Sequence, residues 1–253
     1  YEYLKTYCGV NLSHCGNREI NVSSAPLFEG RLQKVIPQKK RAYLNYCTFG
    51  YSFAFWKWDK WEKEIDFMAM NGINMPLSVV GTEAVWYYTL RDFTYSENGA
   101  LQFISGPGFW PWQLMTNITG YFSLTDVKYI ESRVELGKKI IDREVELGMT
   151  PIQQGYTGTV PQRDTKQIKK ARLRLIPSWC NFPFTYQLDP TDPLFKKFGK
   201  ALLEKQRQLF GAYHYYACDP FHENEPSVKT RDYLFKVGYE ISSMYTEFDK
   251  DAV

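Results

Sequence analysis

Three carboxylates, Asp219, Glu223 and Glu225, crowd into one segment of the 253-residue sequence, Tyr213-His-Tyr-Tyr-Ala-Cys-Asp-Pro-Phe-His-Glu-Asn-Glu-Pro226. A carboxylic acid that protonates a leaving oxygen, working with a second carboxylate that attacks or activates water, is the equipment of glycoside hydrolysis. The same acids also suit the opening of a helix, where the N-terminal dipole favours negative charge. Spacing alone leans slightly towards that structural role. Other chemistries are poorly served. The three histidines, His14, His214 and His222, and the five cysteines form no zinc-ligand spacing, and there is no Gly-x-Ser-x-Gly elbow or P-loop. Gly155-Tyr-Thr-Gly158 reads as a turn, with Tyr156 a candidate site-loop residue. No cofactor or metal is expected.

Residues 213–218 form an aromatic run of strand-like composition, which Asp219-Pro220 must end. Three earlier strands are expected at 43–49, 73–80 and 149–154. The period of two places Asn45 and Cys47 on one face of the first. Between them lie helical patterns: Trp58, Trp61, Ile65 and Met68 after a cap at Asp59; Val127, Ile130, Val134, Ile141 and Val145 after Asp126; Phe195, Phe198, Leu202 and Leu209 after Asp192-Pro193. Leu234, Val237, Ile241, Met244 and Phe248 mark a last helix. Residues 81–123 read as a long, aromatic-rich insertion of the functional-loop kind, and 166–174 as a basic, solvent-facing helix or loop. The alternation is that of a parallel α/β sheet, with Glu223 beyond the fourth strand. Catalytic groups collect at that end of such strands. Four βα units would be half of an eight-stranded barrel. An open doubly wound sheet is the other reading, weakened because no Gly-x-Gly-x-x-Gly follows the first strand.

A chain with 44% apolar residues and a net charge of +3 is of ordinary globular composition. No stretch approaches a membrane span. The cluster Lys39-Lys40-Arg41 is too short to argue for nucleic acid. Aromatics, at 17%, are the outlier, and sugar C–H faces lie flat on such rings. Cys8, Cys15, Cys47, Cys180 and Cys218 are too scattered for a disulfide scaffold; Cys47 and Cys218 suit buried thiols, and Trp110 and Trp112 suit loop packing, as well as any site. Sequons at Asn11, Asn21 and Asn117 matter only in a eukaryotic secretory pathway. Residues 1–38 lack a sustained period and read as the tail of a preceding domain plus a linker, with 39–253 the barrel portion.

Several long stretches carry a family likeness: Asn45-Tyr-Cys-Thr-Phe-Gly-Tyr-Ser-Phe53, Trp58-Asp-Lys-Trp-Glu-Lys-Glu-Ile-Asp-Phe-Met-Ala-Met-Asn-Gly-Ile-Asn74, Glu83-Ala-Val-Trp86, Gly106-Pro-Gly-Phe-Trp-Pro-Trp112, Gly148-Met-Thr-Pro151, Leu188-Asp-Pro-Thr-Asp-Pro-Leu-Phe195 and Asp219-Pro-Phe-His-Glu223. In these the sequence resembles the α-N-acetylglucosaminidases, glycoside hydrolase family 89. The resemblance implies a (β/α)8 TIM-type barrel, of which this chain holds the first four units. It makes Glu223 the acid/base and puts the nucleophile on strand seven, outside the sequence. It implies a sugar pocket lined by Asn45, Cys47 and Trp112, with His222 a polar neighbour of the acid. A glycan ending in α-linked N-acetylglucosamine would be the partner, and the location extracytoplasmic: periplasmic, secreted or lysosomal. Thr82 and Thr159 depart from the family's usual Gln and His. The competing expectation is a non-catalytic glycan-binding or scaffold protein on the same barrel.

Overall fold

The computed structural model describes residues 1–14, 16–18, 27–31, 33, 35–124, 126–161, 166–226 and 228–253, so Cys15 and the sequon at Asn21 lie outside the described residues. The chain opens with α1 (Glu2–Cys8) and an antiparallel hairpin of β1 (Asn11–Ser13) and β2 (Gly16–Arg18), local order where the sequence shows no period.

Four short strands then build a parallel array: β3 (Ala42–Tyr43), β4 (Met75–Pro76), β5 (Ile152–Gln154) and β9 (Tyr215–Ala217). β3 pairs with β4, with Ala42 opposite Met75. A parallel bridge from Leu77 to Ile152 joins β4 to β5, and β5 pairs with β9, Ile152 opposite Tyr215. On the far side of β9, Val253 donates to the His214 carbonyl at 2.7 Å and accepts from the Tyr216 amide at 3.1 Å, the bond pair of a parallel neighbour.

Each strand is followed by a long helix: α3 (Trp58–Met70), α7 (Val127–Glu146), α9 (Pro193–Phe210) and α10 (Arg231–Phe248). These pack in the same order, α3 on α7, α7 on α9 and α9 on α10. Their starts follow capping chemistry. Asp126 accepts from the Lys128 amide, and Asp192 from the Leu194 amide with Pro193 in the first turn. α3 differs from expectation: it begins at Trp58 with Lys57 in the cap position, so Asp59 lies in its first turn. Trp61, Ile65, Met68, Ile130, Ile140, Phe195, Phe198, Leu202 and Met244 are buried in one core. Each such side chain contributes roughly 1.5–3 kcal/mol by leaving water. Val145, at the end of its expected apolar face, is exposed, and Glu144 is buried instead.

Three sequence expectations change. Residues 43–49 are not one strand: Leu44 takes φ 77, the strand stops at Tyr43, and α2 (Tyr46–Gly50) begins. The 81–123 insertion is mostly helical, with α4 (Thr82–Asp92), α5 (Glu97–Phe103) and α6 (Trp110–Leu114), because its aromatics fill the core. The basic stretch holds α8 (Lys166–Lys170), in which Ile168 is buried, and then enters an antiparallel sheet of order β6-β8-β7. That sheet comprises β6 (Thr159–Val160), β7 (Leu173–Ile176) and β8 (Thr185–Leu188). Arg174 is buried there, 2.9 Å from Asp189 Oδ2 and stacked 4.3 Å over the Tyr233 ring. Among the described residues no helix is long and apolar enough to cross a membrane.

Candidate active site at the strand ends

Every connection leaving the C-terminal end of the parallel array carries at least one candidate residue. After β3 comes α2, which carries Asn45 and Cys47. Asn45 is in extended conformation and caps α2 by accepting from the Thr48 amide at 3.2 Å, while the Thr48 hydroxyl donates back to the Asn45 carbonyl at 2.7 Å. Cys47 is inside the helix, so the two do not share the strand face that their spacing suggests. Tyr46 turns inward. Its hydroxyl donates to Gln154 Oε1 at 2.7 Å, and burial pushes its acidity far down.

After β4 come α4 to α6 and Trp112. α6 packs on α2, and the Trp112 indole lies against Gly50, edge-on to Tyr51 with ring centres 5.4 Å apart. Thr82 is buried: its hydroxyl donates to the Val79 carbonyl at 2.7 Å and accepts from Trp110 Nε1 at 3.0 Å. Trp110 is thereby tied into the core.

Leaving β5, the 155–158 loop leads into the β6-β8-β7 sheet. Tyr156 does not face the site. It is fully buried between Trp86, Phe195 and Phe198, because Gly155 lets the loop lie against Ala217, Cys218 and the Tyr245 hydroxyl. Thr159, also buried, sits in β6 opposite Gln187. The β7–β8 connection carries Trp179.

After β9 the chain passes Cys218, whose thiol burial pushes up, into the acidic loop. Asp219 accepts from the Phe221 amide at 3.1 Å and from His222 Nδ1 at 3.0 Å. Gln187 Nε2 donates to the Pro220 carbonyl at 3.2 Å, and Asn117 Nδ2 to the His222 carbonyl at 3.0 Å. So pinned, the loop turns at Glu223, whose φ is 50. That left-handed conformation costs a non-glycine residue roughly 1–2 kcal/mol. The Glu223 carboxylate accepts from Trp179 Nε1 at 2.6 Å through Oε2, while Oε1 stands 3.9 Å from His222 Nε2. Glu225 turns away, highly exposed and paired with Lys229.

Asn117 joins the two halves of this arrangement, since its amide also donates to the Trp112 carbonyl at 2.9 Å. Glu223 and His222 are thus coupled through one buried residue to the segment that carries Trp112 and, through α6 on α2, to Asn45 and Cys47. Sequence reasoning missed both Asn117 and Trp179. In the sequence Asn117 shows only as a glycosylation sequon, and Trp179 stands alone in a hairpin connection with no periodicity to mark it.

Two other features do not include Glu223. A cavity of about 1090 Å³ runs between the β1–β2 hairpin, β3 and α3, and includes Asn45 but not Glu223. In it the buried Glu64, raised in pKa by desolvation, meets His14 Nε2 at 3.0 Å. Among the described residues one group is spaced to hold a metal ion: His214, Asp249 and Asp251. It sits at the opposite end of β9 from Glu223. Asp249 there is already bonded by His214 Nδ1 at 2.8 Å and by the Tyr216 hydroxyl at 3.0 Å.

Comparison with known proteins agrees with this architecture. Residues 41–253 match the model of the alpha-N-acetylglucosaminidase (NAGLU) tim-barrel domain. The human alpha-N-acetylglucosaminidase is 30% identical over the whole of this chain, which spans 35% of that protein. A family 89 glycoside hydrolase from Clostridium perfringens, solved with 2-acetamido-1,2-dideoxynojirmycin, superposes over 100% of this chain with a TM-score of 0.92 and 35% identity. The chain covers 29% of it. The Clostridium perfringens enzyme with two glutamates replaced by glutamine, solved with its substrate GlcNAc-alpha-1,4-galactose, matches 99% of this chain at 34% identity and a TM-score of 0.92, again over 29% of its own length. With its residues 41–253 matching that domain and its full length matching these relatives, the chain belongs to the α-N-acetylglucosaminidases of glycoside hydrolase family 89.

Proposed function

We propose that Glu223 is the general acid/base of a retaining glycosidase that releases terminal, non-reducing α-linked N-acetylglucosamine from glycans. The observation that carries this reading is the Glu223 carboxylate at the outlet of β9, bonded by Trp179 and linked through Asn117 to Trp112. Its chemistry follows from the sugar. In an α-linked 2-acetamido sugar the leaving group and the acetamide lie on the same side of the ring, so the acetamide cannot displace it from behind. A protein carboxylate must stand on the opposite face, ~5–5.5 Å from the acid for retention. Glu225 shares a loop with Glu223 and is paired with Lys229, and Asp219 is bound to His222. Neither is across a sugar ring from the acid.

The reading therefore takes the array β3-β4-β5-β9 as the first half of an eight-stranded barrel, with residues 1–38 the end of a preceding domain and the nucleophile beyond the 253 residues. The bonds between Val253 and β9 support it, because they are those of a fifth parallel strand. An extracytoplasmic site of action is inferred from the family alone. The test is Glu223→Gln in the full-length protein. Loss of general acid catalysis costs about 10²–10⁴ in rate. The loss should be large for a disaccharide and small for an activated aryl glycoside, which needs little protonation. Equal losses for both would rule out Glu223 as the acid.

A further inference from the structure

We propose that Trp179 is the positioning residue for the acid, assigning the transferable proton to Glu223 Oε1. The proposal rests on the reading of Glu223 given above. A carboxyl group on a three-bond stem has two chemically equivalent oxygens and a free terminal torsion, and a general acid must present the protonated one to the glycosidic oxygen. Here the symmetry is broken. The Trp179 indole N–H can only donate, and it donates to Oε2 at 2.6 Å. Oε2 is thereby held as an acceptor. Oε1 stands 3.9 Å from His222 Nε2, beyond a hydrogen bond, and is the oxygen left to carry the proton.

The donor itself is built to stay in place. Its loop closes on itself, with the Phe182 amide donating to the Trp179 carbonyl at 2.8 Å and the Ser178 hydroxyl to the Phe182 carbonyl at 2.6 Å. Cys180 and Asn181 turn the chain with φ of 48 and 66. The Phe182 ring stacks on the indole at 5.9 Å and 21°, and meets the edge of Tyr121 at 4.8 Å. The hairpin is anchored where the Thr185 hydroxyl donates to the Thr116 carbonyl at 2.9 Å, one residue from Asn117. Both partners of the Trp179–Glu223 bond are thus fixed to the same segment. In the glycosylation step the proton leaves Oε1 for the glycosidic oxygen as the C1–O bond breaks and its electron pair stays on the aglycone. The carboxylate nucleophile bonds C1 from the opposite face.

The experiment uses the full-length protein. Trp179→Phe keeps a ring on Phe182 and deletes the donor. Replacement by 3-benzothienylalanine keeps the bicyclic shape and also deletes it, so a folding defect in the first variant is separated from loss of the bond. Both should lower kcat/KM for GlcNAc-α-1,4-galactose by about tenfold while leaving a dinitrophenyl α-N-acetylglucosaminide within about twofold, since only the former needs the proton. In a Glu223→Gln background the same changes should cost nothing further on the disaccharide. Equal losses on both substrates, additive losses in the Gln background, or full activity without the indole N–H would each overturn the proposal. A Glu223→Gln enzyme that retains full activity on the disaccharide would instead sink the assignment of Glu223, whatever Trp179 does.

Discussion

Gly50 decides how Trp112 stands. A Cβ at position 50 would lie 2.5 Å from Cζ3 of the indole and 3.0 Å from the Gly108 carbonyl, so alanine there forces the ring to move. If Trp112 lines the sugar pocket, Gly50→Ala in the full-length enzyme raises KM several-fold with a Tm change of only a few degrees. Trp112→Ala weakens binding of an N-acetylglucosamine-like iminosugar more than it lowers Tm. A variant that unfolds, or one that binds normally, would make Trp112 a packing residue. At this scale the sequence was readable where a residue sits in a motif and mute where it acts by contact. Glu223 stands out because Asp219-Pro220 ends a strand just before it. Trp179 reaches it from a hairpin 44 positions earlier, and no local spacing encodes that meeting.

At the scale of elements, α7 is held to the strand layer by a buried polar contact. The Ser78 hydroxyl lies 2.6 Å from Glu144 Oε2, while Oε1 is buried without a hydrogen-bond partner among the described residues. Burial raises the Glu144 pKa to about 8 against an ordinary 4.5, partly offset by the Ser78 bond. A group protonated more readily in the folded state stabilises the fold below its unfolded pKa, and that contribution disappears as pH rises through the folded value. Stability should therefore fall between about pH 4.5 and 8, by a few kcal/mol in total. Glu144→Gln should flatten Tm over that range, and an unchanged slope would remove Glu144 as its source. Gly137 on the same helix faces the Val80 carbonyl, so Gly137→Ala should cost about 1–3 kcal/mol by denaturant unfolding. Long helices and the caps at Asp126 and Asp192 were legible because periodicity and capping are local, whereas Asp59 falls in the first turn, inside the cap expected of it. The strands of two or three residues were placed only roughly, since so short a run has no period to read. The helical 81–123 segment read as a loop because its aromatics and glycines lack one apolar face; its burial is tertiary.

For the molecule as a whole, among the described residues β3 has a hydrogen-bonded strand neighbour on one side only, and α10 exposes Phe235 and Tyr239. An unpaired parallel edge and bare apolar side chains invite association. Residues 1–253 purified alone are expected to show no turnover of a chromogenic α-N-acetylglucosaminide, because among the described residues of the acidic loop Asp219 is bound to His222 and Glu225 is paired with Lys229, leaving neither to face Glu223 across a sugar. Turnover abolished by Glu225→Gln would overturn this. The parallel class of the sheet could be inferred from alternating elements, whereas the cross-links that make it a site, Asn117 to His222 and Thr185 to Thr116, span 105 and 69 positions and exist only once the chain is folded.

Asn117 leaves this protein with a constraint on where it can be made. Its side-chain nitrogen, the atom an oligosaccharide would occupy, is buried and spent on the His222 carbonyl, yet Asn117-Ile118-Thr119 is an acceptor sequence. In a eukaryotic secretory host, sugar transfer to the nascent chain would compete with folding. A molecule modified at Asn117 could not close the acidic loop. Thr119→Ala removes the acceptor signal while keeping the amide, so it should raise the yield of active full-length enzyme from such a host and change nothing in a bacterial one.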